Sequence, residues 1–580
     1  MKGENNVIHG VSGAPGIAIG KALIFNPELL NFVTRNINQN EINNQLASLQ
    51  QAFFQAYSEL SAIYSRTASE LGRDRAGIFQ AQLMILEDPD FEQEITDLVK
   101  KGVNAEAAVG ETITYYIEFY HDSQDDHRRE RASDYRDVGC RLLRILLGQS
   151  WNPAPQLTED LIILARDLTS ADIVHLDRSK ILGIATESGS RTSTAAILAK
   201  SLEVPAAVNL GPFLKEVQNG DIVIVDGGKG ILMVRPDEAS LSKYKNRLET
   251  YQAIKKELHL MHELPAMTTD AHKVELLANI DHPSESLGAL AHGAGGIGLF
   301  RTEYLFSGRE HPPSEDEQYE VYMQVINTMG HRPVTIRTLD LGPDKSPWYM
   351  SMPVEPNPFL GCRGIRLSLN FEDVFKAQMR AILRASAHGN VKVMFPMISR
   401  VDELRQVKSI FGSVRQELQE KGIPFNPNLE IGMLIEVPSA AMTVELFAPE
   451  VDFFSIGTND LVQYTLALDR LSDDSASDQA LHPAVLRLIR HVVDAAREVR
   501  KPVSICGEVA ASPLATVLLM GLRLNSFSCA AGAIPEIKKV IRGISTRDAF
   551  EVAKKALKLA LAGDVKALLE ADLRQRGLYF

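Results

Sequence analysis

Apolar and polar positions along this chain follow three different rhythms. Residues 8–26 are Gly-rich with short β-branched stretches, which predicts strand and turns. From about Asn36 to Leu147 Gly and Pro almost vanish. Apolar residues there recur at helical spacing, as at Leu49, Phe53, Tyr57, Leu60, Ile63 and Tyr64, and the stretches Ala76–Val99 and Arg131–Leu147 continue the pattern. A helical hairpin or bundle interrupting something else is predicted. β texture returns at Leu161, Ile181–Ala185 and Asp221–Val225, with Gly-rich turns between. The simplest topology is an α/β domain from residues 1–35 and 148–235, split by a helical insert at 36–147. Residues 236–267 read as a charged, solvated linker helix.

From residue 268 to 580 strands alternate with amphipathic helices. Eight strand candidates stand out: Val274–Ile280, Gly296–Thr302, Thr335–Leu341, Lys392–Met397, Glu430–Glu436, Asp452–Ile456, Pro502–Cys506 and Asn525–Cys529. That alternation over about 250–300 residues is the mark of a (β/α)8 barrel, with an open doubly wound sheet as its rival. The fold class expected is therefore multidomain α/β.

Composition narrows the function classes. At 580 residues the chain needs several cores. Its formal net charge of −13 argues against nucleic-acid or anionic-membrane partners, which need basic surface. Any anionic ligand must be held by local arginines against that field. The four cysteines form no CxxC pair, which excludes a zinc ribbon and a disulfide framework. The start has no secretory h-region and no run approaches the ~20 apolar residues of a membrane span, so a cytoplasmic location is expected.

In such barrels chemistry collects at the C-terminal ends of strands. Those ends carry Arg301-Thr302-Glu303, Arg337-Thr338-Leu339-Asp340, Glu436-Val437-Pro438, Gly457-Thr458-Asn459-Asp460 followed by Arg470, and Cys506-Gly507-Glu508. Arginine forks pair bidentately with phosphate or carboxylate, so several of them suit a small multiply charged anion. Glu436 and Asp460 suit Mg²⁺, which takes one or two protein carboxylates plus ligand oxygens. Asn459 can donate to a phosphate oxygen. Cys506 can act as acid or nucleophile according to its pKa. Taken singly, a strand-end Cys is usually structural and an Arg–Glu pair usually a salt bridge; their convergence on one barrel mouth is what points to an anion-plus-metal site.

The strings GLFRTEYLF, NPFLGCRGIR, FFSIGTNDLVQYTLALDR and CGEVA resemble the phosphoenolpyruvate-binding barrel of enzyme I of the bacterial sugar phosphotransferase system, a barrel shared with pyruvate phosphate dikinase and phosphoenolpyruvate synthase. GVSGAPGIAIGKA, FQAQLMILEDPDFEQEI, ERASDYRDVGCRLL and SRTSTAAILAKSLEVPAAV extend the resemblance through the N-terminal half. It implies a phosphoenolpyruvate-protein phosphotransferase with a swivelling N-terminal phosphohistidine-type domain, Mg²⁺ as cofactor and a homodimer formed through the barrel. Arg301, Arg337, Arg363, Asn459 and Arg470, with Asp460, would contact the substrate. Glu436 and Asp460 would ligate Mg²⁺. Cys506 would protonate the methylene carbon of enolpyruvate. The insert would dock the phosphocarrier HPr, and its apolar residues Leu83, Met84 and Leu86 are either that surface or core.

One position departs from the family. Where the family carries a phospho-accepting histidine in Gly-Gly-x-Thr-Ser-His, this chain reads Gly189-Ser190-Arg191-Thr192-Ser193-Thr194. Imidazole attacks near neutral pH and its phosphoramidate remains a good donor. A threonine hydroxyl needs a base, and its phosphate ester is too stable to rephosphorylate a histidine. The relay toward HPr should break at Thr194. Three accounts stand: an introduced block, a divergent paralogue that binds phosphoenolpyruvate as a regulator or scaffold, or an acceptor elsewhere. A barrel that hydrolyses phosphoenolpyruvate with water is a further reading.

Overall fold

The computed structural model describes residues 6–25, 33–71, 79, 82–121, 126–148, 160–168, 180–190, 193, 195, 196, 199, 204–306, 309, 311–342, 349, 350, 357, 359–468 and 479–578. The chain divides into two compact units, Met1–Ile254 and Lys255–Phe580.

The first unit is built on one mixed sheet. Its strands are β1 (Asn6–His9), β2 (Val11–Ala14), β3 (Ile17–Phe25), β4 (Leu161–Ala165), β5 (Ile181–Thr186), β6 (Ala206–Val208), β7 (Ile222–Asp226) and β8 (Ile231–Val234), in the order β1-β8-β7-β3-β4-β5-β6-β2. β3 and β4 are parallel neighbours, from Lys21 beside Leu161 to Phe25 beside Ala165. The helical excursion is thus one long crossover between adjacent strands. β4 reads LIILA because both its faces are covered: Ile162 and Leu164 enter one core, Ile163 and Ala165 another.

Helices Gln39–Leu71, Pro89–Lys100, Ala105–His121 and Asp126–Leu146 make up the excursion. Leu49, Phe53, Ala56 and Leu60 line its core, and Phe91 sits at the centre, edge-on to Phe53, Tyr116 and Tyr135. Tyr57, expected with the apolar stripe, lies instead toward solvent, one step off the i, i+3, i+4 line that Ala56 completes. The residues 83, 84 and 86 divide: Leu86 is core, Leu83 packs at its edge and Met84 is 63% exposed.

The charged segment forms a helix over Glu238–Leu260. It is not solvated on all sides. Tyr244 is buried with Ile17, Ile224 and Met233, and Arg247 Nη1 donates to the buried Asp226 at 2.8 Å.

In the second unit β9 (Glu275–Ile280), β10 (Ile297–Phe300), β11 (Val334–Arg337), β12 (Val391–Phe395), β13 (Glu430–Ile435), β14 (Phe453–Gly457), β15 (Val503–Cys506) and β16 (Ser526–Ala530) pair in parallel around a closed barrel. Closure is made by β16 on β9, with Phe527 beside Leu276. All eight predicted strands are present, which decides against the open sheet. Outward strand residues such as Phe454 and Ile456 join the large core under the helices. Leu299, Met394, Leu434, Phe453 and Cys506 form a separate cluster. No helix among the described residues is long and apolar enough to cross a membrane.

Candidate active site at the barrel mouth

Two arginines and a set of carboxylates interlock at the C-terminal ends of the barrel strands. Arg337 ends β11 and is 8% exposed. Its guanidinium meets Glu303 at 2.7 Å and Asp340 at 2.9 Å. Arg363, 6% exposed, reaches Asp460 at 3.0 Å and Asp340 at 3.4 Å. Asp340 therefore bridges both arginines. Burial opposes the two positive charges, but the surrounding carboxylates outweigh it and hold both guanidiniums above their ordinary range. The Nε atoms of Arg337 and Arg363 are buried without a hydrogen-bond partner among the described residues, so each retains donor capacity.

Glu436 follows β13 and is 1% exposed. Its Oε1 accepts from the Met397 backbone N–H at 2.6 Å. Met397 takes a left-handed φ of 56°, a conformation unfavourable for a non-glycine residue. Gly457, at the end of β14, makes room for the carboxylate: a Cβ there would lie 2.7 Å from Glu436 Oε2. Asp340, Glu436 and Asp460 bring carboxylate oxygens within 4.8 Å of one another. Burial first, then the charges of Asp340 and Asp460, push Glu436 up to about 8. The cluster's all-oxygen donor set fits a hard divalent cation, whose charge would draw Glu436 into its ionised form.

Asn459 opens the helix Thr458–Leu466, and its Oδ1 accepts from Glu508 N at 3.1 Å. With the carbonyl so engaged, its remaining chemistry is donation from Nδ2. Gly507, φ 97°, permits the close approach, since a Cβ would fall 2.3 Å from Thr458 Oγ1. Cys506 ends β15 and is 2% exposed; burial pushes its thiol up, against a hydrogen bond from Ser455. The group is a thiol at neutral pH, fit to give a proton rather than to attack.

Arg301 stands somewhat apart. It follows β10, and Nη1 donates to both oxygens of Asp281, at 2.9 and 3.2 Å. It lines a 420 Å³ cavity together with Asn279, Asp281, Glu285, His292 and Glu508.

Of the residues singled out in the sequence, Arg337, Arg363, Glu436 and Asp460 gather in one buried cluster, and Arg301, Asn459 and Cys506 occupy neighbouring strand ends. Arg470 and Thr194 lie outside the described residues. Sequence reasoning assigned no role to Asp340, Glu303 or Ser455. Asp340 had a signal, three residues past Arg337 on the same strand end. Ser455 had none, since its relation to Cys506 crosses two strands.

The fold is that of a phosphoenolpyruvate-utilising enzyme: the PEP-binding domain of that family matches residues 255–546, its N-terminal domain 9–131 and its mobile domain 157–230. Phosphoenolpyruvate-protein phosphotransferase of Geobacillus stearothermophilus is 42% identical over 570 residues, covering 98% of this chain and 98% of its own. The Haemophilus influenzae counterpart is 40% identical over 574 residues, 99% of this chain and 100% of its own. An NMR structure of an enzyme I protein is 37% identical and covers 42% of this chain and 99% of its own, with a TM-score of 0.36. The chain belongs to the phosphoenolpyruvate-protein phosphotransferase family, the enzymes I.

Proposed function

We propose that the barrel mouth binds phosphoenolpyruvate with Mg²⁺ and is built to release pyruvate when the phosphoryl group passes to a histidine acceptor, and that Thr194, standing where that histidine belongs, interrupts the transfer and with it the relay to an HPr-type phosphocarrier. The observation that carries this reading is the buried pairing of Arg337 and Arg363 with Asp340 and Asp460, beside Glu436.

Arg301, Arg337, Arg363 and Arg470 hold the phosphate and carboxylate oxygens, and Asn459 donates from its amide. Glu436 and Asp460, joined by Asp340, hold the metal through carboxylate oxygens. Bound Mg²⁺ supplies positive charge against the phosphoryl oxygens. Preformed guanidiniums in a water-poor mouth stabilise charge as it shifts without reorganising. Cys506 gives its proton to the methylene carbon, so that the enolate leaves as pyruvate. A homodimer through the barrel, a cytoplasmic location and docking of HPr on the helices of residues 36–147 belong to the same reading; the exposed Met84 supports the last.

Thr194 favours a second reading, a phosphoenolpyruvate-binding regulator that does not pass phosphate on. Incubation with Mg²⁺ and ³²P-phosphoenolpyruvate, with and without HPr, tests both. The expected result is unlabelled HPr with this chain and labelled HPr with T194H. Label reaching HPr from the unaltered chain would show that another residue carries the phosphate. Failure of T194H to label HPr, with phosphoenolpyruvate still bound, would leave the regulator.

A further inference from the structure

An apolar cluster surrounds Cys506 in the barrel interior. Leu299, Met394, Leu434 and Phe453 cluster with the thiol, and into this surrounding β14 places Ser455, 1% exposed. The strand register explains how the two meet. Gly457 pairs with Cys506 and Ser455 with Ser504, so Ser455 follows Gly457 two residues down the same face of β14. Ser455 Oγ donates to Cys506 Sγ at 3.5 Å, while Sγ donates to the Ile456 carbonyl at 3.5 Å. A hydroxyl buried among hydrocarbon is costly unless bonded, and here its partner is the sulfur.

We propose that Ser455 is the positioning residue of Cys506, holding the sulfur in place and donating to the thiolate formed each time the proton moves to carbon. This rests on the reading of Cys506 as proton donor. In the forward direction the S–H bond breaks, a C–H bond forms at the methylene carbon of the enolate, and the electron pair left on sulfur is met by the Ser455 O–H. In reverse, the thiolate takes a methyl proton from pyruvate, the C–H electron pair passes into the enolate, and S–H is regenerated. A hydrogen bond to the charged form is stronger than one to the neutral form, so Ser455 acts on the thiolate more than on the thiol. The charged groups that face the same sulfur are Glu436, which opposes the thiolate, and Arg337 and Arg301, which favour it.

The reverse step needs no phosphoryl acceptor, so Thr194 does not obstruct its measurement. Loss of the pyruvate methyl signal in D₂O with Mg²⁺, followed by ¹H NMR across pH, reads proton transfer alone. S455A is expected to slow exchange about tenfold near neutral pH and to move its pH midpoint upward by roughly one unit, the size of a hydrogen bond to a charged group. S455T, which keeps a hydroxyl, restores the midpoint. S455G removes the hydroxyl without setting a methyl against the sulfur and serves in place of S455A should that variant not fold. A purely structural serine would lower the melting temperature and leave the midpoint where it was, and that result overturns the inference. C506A separates the two readings. If it exchanges as well as the unaltered chain, or if the unaltered chain does not exchange at all, the assignment of Cys506 falls, and Ser455 with it. If C506A is silent while S455A and S455G match the unaltered chain, only the inference on Ser455 falls.

Discussion

Arg301 is held by Asp281, with one Nη1 donating to both carboxylate oxygens at 2.9 and 3.2 Å. An arginine meant for an anionic ligand thus already has an anion, on the segment that follows β9. The pair is partly open, at 35% and 60% side-chain exposure, so it contributes at most about 1 kcal/mol. Asp281 competes with the ligand. D281N should therefore tighten phosphoenolpyruvate binding by about two- to fivefold in a calorimetric titration. Weaker binding would mean that Asp281 instead holds Arg301 in its working position.

Glu303 serves Arg337 differently. Its Oε1 accepts from Arg337 Nη2 at 2.7 Å and from the Asp340 backbone N–H at 3.0 Å. One oxygen thus ties the strand-end arginine to the turn carrying the bridging aspartate. E303A leaves a buried guanidinium with one partner fewer and should cost about 2–3 kcal/mol in urea unfolding. It should also weaken phosphoenolpyruvate binding. Unchanged stability would show that Asp340 alone suffices for Arg337.

The carboxylate cluster predicts a metal dependence. E436Q keeps the shape but removes a ligand charge, so binding of phosphoenolpyruvate should lose most of its response to Mg²⁺. G457A should act similarly from the other side, by driving a Cβ to 2.7 Å from Glu436 Oε2 and 2.5 Å from Leu434. Titration of each variant with and without Mg²⁺ checks this. A full Mg²⁺ response in E436Q would remove Glu436 from the metal site.

A pH effect is expected away from the site. The helix Glu315–Met329 starts with a capping box in which Ser314 accepts from Glu317 N and Glu317 accepts from Ser314 N. The Ser314 backbone bond, then Arg309, hold Glu317 down to about 2. A depressed carboxylate contributes its stability above its unfolded value of about 4.5 and loses it as pH falls toward 2. E317Q should therefore unfold at lower urea than the unaltered chain at pH 7, by about 1 kcal/mol or less. The two should converge as the pH falls below 4.5. A gap that persists at acid pH would place the effect in packing rather than charge.

The eight barrel strands were legible because strand identity is local: short apolar runs bounded by Gly, Pro and polar residues leave few other options. The same locality put Arg337, Glu436, Asn459, Asp460 and Cys506 at strand ends. Arg363 was legible only through family resemblance, since it follows no strand. Tyr57 was misplaced because a helical repeat alone does not say which of two adjacent apolar residues turns inward. Tertiary structure decided the rest. Barrel closure pairs Glu275 with Ser526 across most of the domain, and the tertiary fold carries Arg363 to Asp460, 97 residues away. The contact between Ser455 and Cys506 spans 51 residues and depends on the register of two strands. Periodicity is a property of neighbours in the chain and is written in the sequence. Which charges share one buried space depends on how distant segments close upon each other, and that is settled only when the whole barrel is packed.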